Sequence, residues 1–102
     1  MPKKYFYVRN ETNDVLIIVR ISNNLCTTDQ QAINLSREWT DDAFMLASED
    51  PVGMKRYTLL PNDKRKFKLH QNKRFIILCD SKPYIEVITP QPGEIYTIRN
   101  IS

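Results

Sequence analysis

Apolar residues along this chain come in short runs, separated by clusters of turn-forming residues. Tyr5–Asn10 (YFYVRN) is aromatic and β-branched and reads as a first strand. Glu11–Asp14 is a turn. Val15–Ile21 (VLIIVRI) opens with five consecutive apolar residues and has no polar face, so it predicts a central strand covered on both sides. Tyr57–Leu60 runs into the turn cluster Pro61-Asn62-Asp63. Arg65, Phe67 and Leu69 then alternate with Lys64, Lys66, Lys68 and His70, which is strand period. Phe75–Cys79 is apolar on both parities, again a central strand. Tyr84–Thr89 is a further strand with Glu86 expected to face outward. Pro90-Gln91-Pro92-Gly93 is a strong break, and Ile95–Ile101 closes the chain.

The segment from Leu25 to Asp50 admits two readings. Thr28 with Gln31 fits a capping box, and Ala32, Leu35 and Trp39 lie at helical spacing. Thr40-Asp41-Asp42 would cap a second helix through 43–47. Against this, Gln31–Leu35 and Ala43–Ser48 read as short strands, which their all-β neighbours favour. Asp50-Pro51-Val52-Gly53 is a turn. The expected fold is one domain over residues 1–102: a small, mostly antiparallel β-sandwich of about seven to nine short strands, with room for one short helix within 28–49. Two glycines are few for a tightly coiled barrel.

The middle of the chain is expected to form a hairpin. Pairing Leu69 with Phe75 and Phe67 with Ile77 puts four apolar side chains on one face. Gln71-Asn72-Lys73 is then the loop, with Asn72 in the left-handed region. The same register turns Lys64, Lys66, Lys68 and His70 to the other face.

A net charge of +3 is mild, but its distribution is uneven. Between Lys55 and Arg74 stand eight Lys or Arg residues and one acid, Asp63. Between Asp29 and Asp50 stand six acids and one base, Arg37. The basic strip Lys55, Arg56, Lys64, Lys66, Lys68, His70, Lys73 and Arg74 is the candidate binding site. A row of lysines can contact phosphates, and it also shields a sheet edge from pairing with another chain. Base recognition further needs aromatics on the same face, and Phe67 and Phe75 fall on the other parity or within the core.

Catalytic residues are not evident. His70 is the one histidine, lies among lysines that lower its pKa, and has no carboxylate nearby in sequence. Two cysteines and one histidine give no zinc spacing, and lone Gly53 and Gly93 build no phosphate loop. No catalytic group, metal, cofactor or small-molecule substrate is therefore expected. Met1-Pro2-Lys3-Lys4 leads straight into a strand, and no run approaches a membrane span, so a cytoplasmic or nuclear protein with no membrane partner is expected. Cys26 and Cys79 are then expected to be buried, reduced thiols.

Cys26, Trp39 and Cys79 resemble the Cys…Trp…Cys spacing of an immunoglobulin domain, but Ile77 stands where its tyrosine corner would be. Asn10–Leu16, Tyr57–Pro61, Arg65–Asp80 and Ile95–Arg99 together resemble the strand-and-turn layout of the von Hippel-Lindau β-domain. That resemblance implies a sandwich used as a binding platform. The family's hydroxyproline-holding Ser, His and Trp correspond to Leu69, Lys73 and Phe75 here, so that ligand is not implied. The expected function is a non-enzymatic module recognising another protein through exposed strands or loops. Nucleic-acid binding through the strip 55–74, or a structural subunit of an assembly such as a virion, are the alternatives.

Overall fold

A computed structural model describes residues 4–41, 52–79 and 81–101. The elements, in order, are β1 (Tyr5–Asn10), β2 (Leu16–Ser22), α1 (Asp29–Asp41), β3 (Met54–Leu59), β4 (Lys64–Lys68), β5 (Lys73–Cys79), β6 (Ile85–Ile88) and β7 (Ile95–Ile98). They form two sheets, ordered β4-β1-β7 and β3-β2-β5-β6. Every pairing is antiparallel except β1 with β7. This is the small all-β sandwich with one helix that the alternation predicts.

The four-stranded sheet is covered on both faces. Leu16, Ile18, Phe75 and Ile77 point between the sheets, where they meet Phe6, Val8 and Phe67. Val19, Ile21, Ile76 and Leu78 point the other way and pack with Ala32 of α1. That double cover is why β2 and β5 are apolar on both parities. The three-stranded sheet has one packed face only. Its outward residues Tyr5, Lys64, Lys66, Lys68 and Ile95 are exposed.

The strand reading of Gln31–Leu35 is corrected: these residues lie in α1. The capping signal prevails over the neighbouring strands. The Gln31 amide donates to the Thr28 hydroxyl, and the Thr27 amide donates to the Gln31 side chain. Ala32, Leu35 and Trp39 then meet the sheet from one helical face. The reading of 43–48 lies outside the described residues.

The expected hairpin is also corrected. β4 pairs with β1, and β5 pairs with β2 and β6, so the chain crosses from one sheet to the other between Lys68 and Lys73. Phe67 and Phe75 do meet, at 5.9 Å between ring centroids, but across the inter-sheet core. Among the described residues, the left-handed non-glycine is Asn62 (φ 65°), in the β3–β4 turn, and not Asn72.

Cys26 and Cys79 are unbridged, and they sit in different cores. A bonded pair needs its Cβ atoms about 4 Å apart, which two cores on opposite faces of a sheet do not provide.

Asn10 is fully buried and closes the sandwich at the β1–β2 turn. Its amide donates to the carbonyls of Asp14 and Leu59, and its carbonyl accepts from the Thr12 amide and hydroxyl. Its backbone bonds to Asn62 and Asp63 of the β3–β4 turn. Two turns far apart in sequence are thereby tied to one side chain.

Candidate functional site

The basic strip of the sequence does not form one surface. Lys64, Lys66 and Lys68 stay together, on the outer face of β4. Arg56 stacks on Trp39, 4.5 Å from the ring centroid, on the helix side of the molecule. Lys55 lies over Tyr57 at 5.7 Å. Arg65, on the inward parity of β4, reaches the same ring at 4.8 Å. His70 lies beyond β4 and turns to Arg20, with Nε2 3.5 Å from Nη1. Burial first, then the charges of Arg20, Lys73 and Lys68, holds the His70 pKa below its usual value.

Arg74 anchors the loop before α1. Its Nε donates to Asp29 at 2.9 Å, and its other nitrogens reach Asn23, Cys26 and Thr27. Asp29 and the Cys26 sulfur raise the Arg74 pKa further against a counteracting burial. This network holds α1 to β5.

The β1–β4 register completes the lysine row with residues the strip did not contain. Tyr5, Tyr7 and Arg9 oppose Lys68, Lys66 and Lys64 on the same outward parity. Ile95 and Thr97 of β7 continue that face beside Tyr7 and Arg9. Lys66 Nζ sits 4.1 Å over the Tyr5 ring and Lys64 Nζ 5.2 Å over the Tyr7 ring, both on the diagonal of the pairing. Arg9 approaches Glu11 at 3.6 Å, and Glu11 also accepts from Arg99 at 2.9 Å. The aromatics that the lysine face lacked in the linear reading are therefore present, supplied by β1. Their signal was the period of YFYVRN, which separates Tyr5, Tyr7 and Arg9 from Phe6 and Val8. β4 is also an edge strand, so its lysines oppose pairing with another chain.

A second cluster lies where β6 faces β7. Glu86, expected to point outward, is turned between the sheets: it shares a parity with buried Ile88 and accepts from the hydroxyls of Tyr84 and Tyr96. Burial, and then the Glu86 carboxylate, pushes the Tyr96 hydroxyl up to about 12 and raises that of Tyr84 as well. Such phenols hold their protons and join the two sheets. Both tyrosines titrate higher folded than unfolded, so their contribution is complete below about pH 10 and is lost as pH rises through the folded value. In thermal melts from pH 8 to 12, the wild-type midpoint should fall more steeply than that of Tyr96→Phe. Parallel curves would show that Tyr96 ionises equally easily in both states.

Among the described residues, no group of three or more His, Cys, Asp or Glu side chains could hold a metal ion. No helix among them is long and apolar enough to cross a membrane.

No family model matches the chain. No curated protein matches it either. Among solved structures, the chain is similar to the T6SS lipoprotein TssJ1 from Pseudomonas aeruginosa, with 14% identity over 95% of this chain and 89% of that chain and a TM-score of 0.48. That protein is a lipoprotein, which runs against the expectation of a cytoplasmic or nuclear protein-recognition module. A likeness of this size assigns no role to the present chain.

Proposed function

We propose that this chain is a non-enzymatic attachment domain, whose outer β4-β1-β7 face rests on an anionic phospholipid surface. The observation that carries the reading is the lysine–tyrosine face. Lys64, Lys66 and Lys68 stand on one sheet face with Tyr5 and Tyr7 between and beside them. Strand geometry spaces the lysines about 6.8 Å apart in an extended row. Lysine stems with aromatic rings that are apolar in body and polar at the tip are the chemistry of the headgroup layer. A stacking platform for nucleic-acid bases needs bare ring faces. Here ammonium groups lie over both rings, which favours a ligand met by charge. A surface of this kind meets a bilayer without a spanning segment.

Each lysine near an acidic bilayer contributes about 1 kcal/mol, and the attraction decays within a Debye length. Attachment is therefore weak and salt-sensitive. Wild-type protein should sediment with vesicles containing phosphatidylglycerol and not with phosphatidylcholine vesicles. Lys66→Glu with Lys68→Glu removes at least about 2 kcal/mol of attraction, roughly thirtyfold in affinity. Both side chains are exposed, so the fold should survive. Equal retention on neutral vesicles, or full retention of the folded double variant, contradicts the reading. Retention on single-stranded RNA but not on acidic vesicles moves the face to nucleic acid.

A further inference from the structure

Where β4 leaves its sheet, the crossing to β5 gathers positive charge at one end of the sandwich. Arg20 comes from β2 on the parity that faces between the sheets, and its Nη1 lies 3.5 Å from His70 Nε2. Lys73, at the start of β5, and Lys68, at the end of β4, both act electrostatically on His70. Arg20, His70 and Lys73 are each half-buried. His70 and Lys73 line a cavity of about 260 Å³, together with Leu69, Phe75 and Thr89. The two other charged groups at this cavity neutralise each other, since Asp29 is bonded to Arg74 at 2.9 Å. Among the described residues, no carboxylate forms an ion pair with Arg20, His70, Lys68 or Lys73.

Like charges drawn together without a counter-charge repel, and partial burial strengthens that repulsion by lowering the local dielectric. An anion placed among them reverses its sign. The guanidinium offers a planar fork suited to two oxygens of a tetrahedral anion, the imidazole a directed N–H, and the ammonium a point charge. We propose that this end of the sandwich binds a phosphate-class oxyanion between Arg20, His70 and Lys73. The site goes beyond the lysine–tyrosine face, from which Lys68 alone acts on it. Its ligand can be free phosphate or the phosphate of a lipid headgroup, because both present the same oxygens.

Binding and protonation of His70 are linked. Burial, and then the charges of Arg20, Lys73 and Lys68, lowers the His70 pKa. A bound phosphate offsets Arg20, Lys68 and Lys73, so His70 takes up its proton at higher pH when the anion is bound. Arg74, whose pKa is raised by its bond to Asp29, keeps its charge throughout this range.

The chain has a single histidine, so one imidazole signal reports the site in NMR. The full chain is titrated with inorganic phosphate, and separately with vesicles carrying phosphatidic acid, against chloride at equal ionic strength. The expected result is a saturable shift of the His70 signal with phosphate and an upward move of its titration midpoint by up to about one unit. Arg20→Gln should weaken that response at least tenfold. If that variant does not fold, Lys73→Gln carries the test. A response to vesicles but not to free phosphate, lost in the same variant, assigns the site to headgroups. A response no greater than that to chloride overturns the proposal. So does an unchanged response in a folded Arg20→Gln or Lys73→Gln protein.

Discussion

Ile18→Asp is expected to leave no folded protein. Ile18 is fully buried at the centre of β2, between Tyr57 of β3 and Ile77 of β5, and it faces the inter-sheet core. That core is built from Phe6, Phe67 and Phe75 and their apolar neighbours, and the cations of inward parity, half-buried Arg20 and exposed Arg65, lie at its margin. A buried unpaired charge costs several kcal/mol even after relaxation. The lost isoleucine contacts add about 2–5 kcal/mol. Together these match or exceed the 5–15 kcal/mol that holds a domain of this size. Ile17→Asp is the control. Ile17 is half-buried, on the helix side of the same strand, and its carboxylate can reach water. The sequence alone assigns both positions to buried faces and equal damage; the structure separates them. Circular dichroism should show the Ile18 variant unfolded and the Ile17 variant folded with a lower midpoint. A folded Ile18→Asp protein would mean that β2 is not central.

Asn10→Ala is expected to cost about 3–4 kcal/mol, a fall in melting temperature of roughly 15–25 °C for a domain of this size. The substitution strands the Leu59 carbonyl, which takes a 3.1 Å bond from Asn10, and the Thr12 amide, which gives one of 2.9 Å. Each unsatisfied buried group costs about 1–3 kcal/mol. Asn10→Asp distinguishes this hydrogen-bond account from a packing one. The carboxylate keeps the volume and accepts from Thr12, but it faces the carbonyls of Asp14 and Leu59 with no proton to give. It should destabilise at least as much as Ala at neutral pH and recover partly on acidification, when one oxygen becomes a donor. Urea melts at pH 7 and pH 4 measure both. An Asp variant as stable as wild type at pH 7 would rule out the two amide donations.

The strands were legible in the sequence because their period and their turn residues are local properties. β1, β2, β4 and β5 follow YFYVRN, VLIIVRI, the Lys64–Lys68 alternation and Phe75–Cys79 closely. Partnership between strands is not local. Phe67 and Phe75 had to share a core, and a hairpin satisfies that as well as a crossing between sheets does. The crossing follows from which strand fills the place beside β2, and alternation does not carry that. α1 is readable in its Thr28–Gln31 cap, a local signal that the β strands on either side of it oppose. Glu86 was misplaced because alternation in Ile85–Ile88 fixes two parities without saying which is inside, and the two tyrosines that satisfy it come from outside the strand.

The site was legible in part for the same reason. The lysine row was visible as three charges of one parity. Its aromatic half was hidden, because Tyr5 and Tyr7 reach it only through the pairing of β1 with β4, some sixty residues apart in the chain. Conversely, residues adjacent in sequence to the row belong elsewhere. Arg56 serves Trp39, and Arg74 serves Asp29.

The most direct test of the lysine–tyrosine face is paramagnetic relaxation by NMR, with acidic vesicles carrying a headgroup spin label. The expected result is selective broadening of residues 5–9 and 64–68, with Tyr5 and Tyr7 ring signals among the most affected, while α1 stays sharp. Broadening centred on α1, or spread evenly over the surface, would contradict attachment through the β4-β1-β7 face.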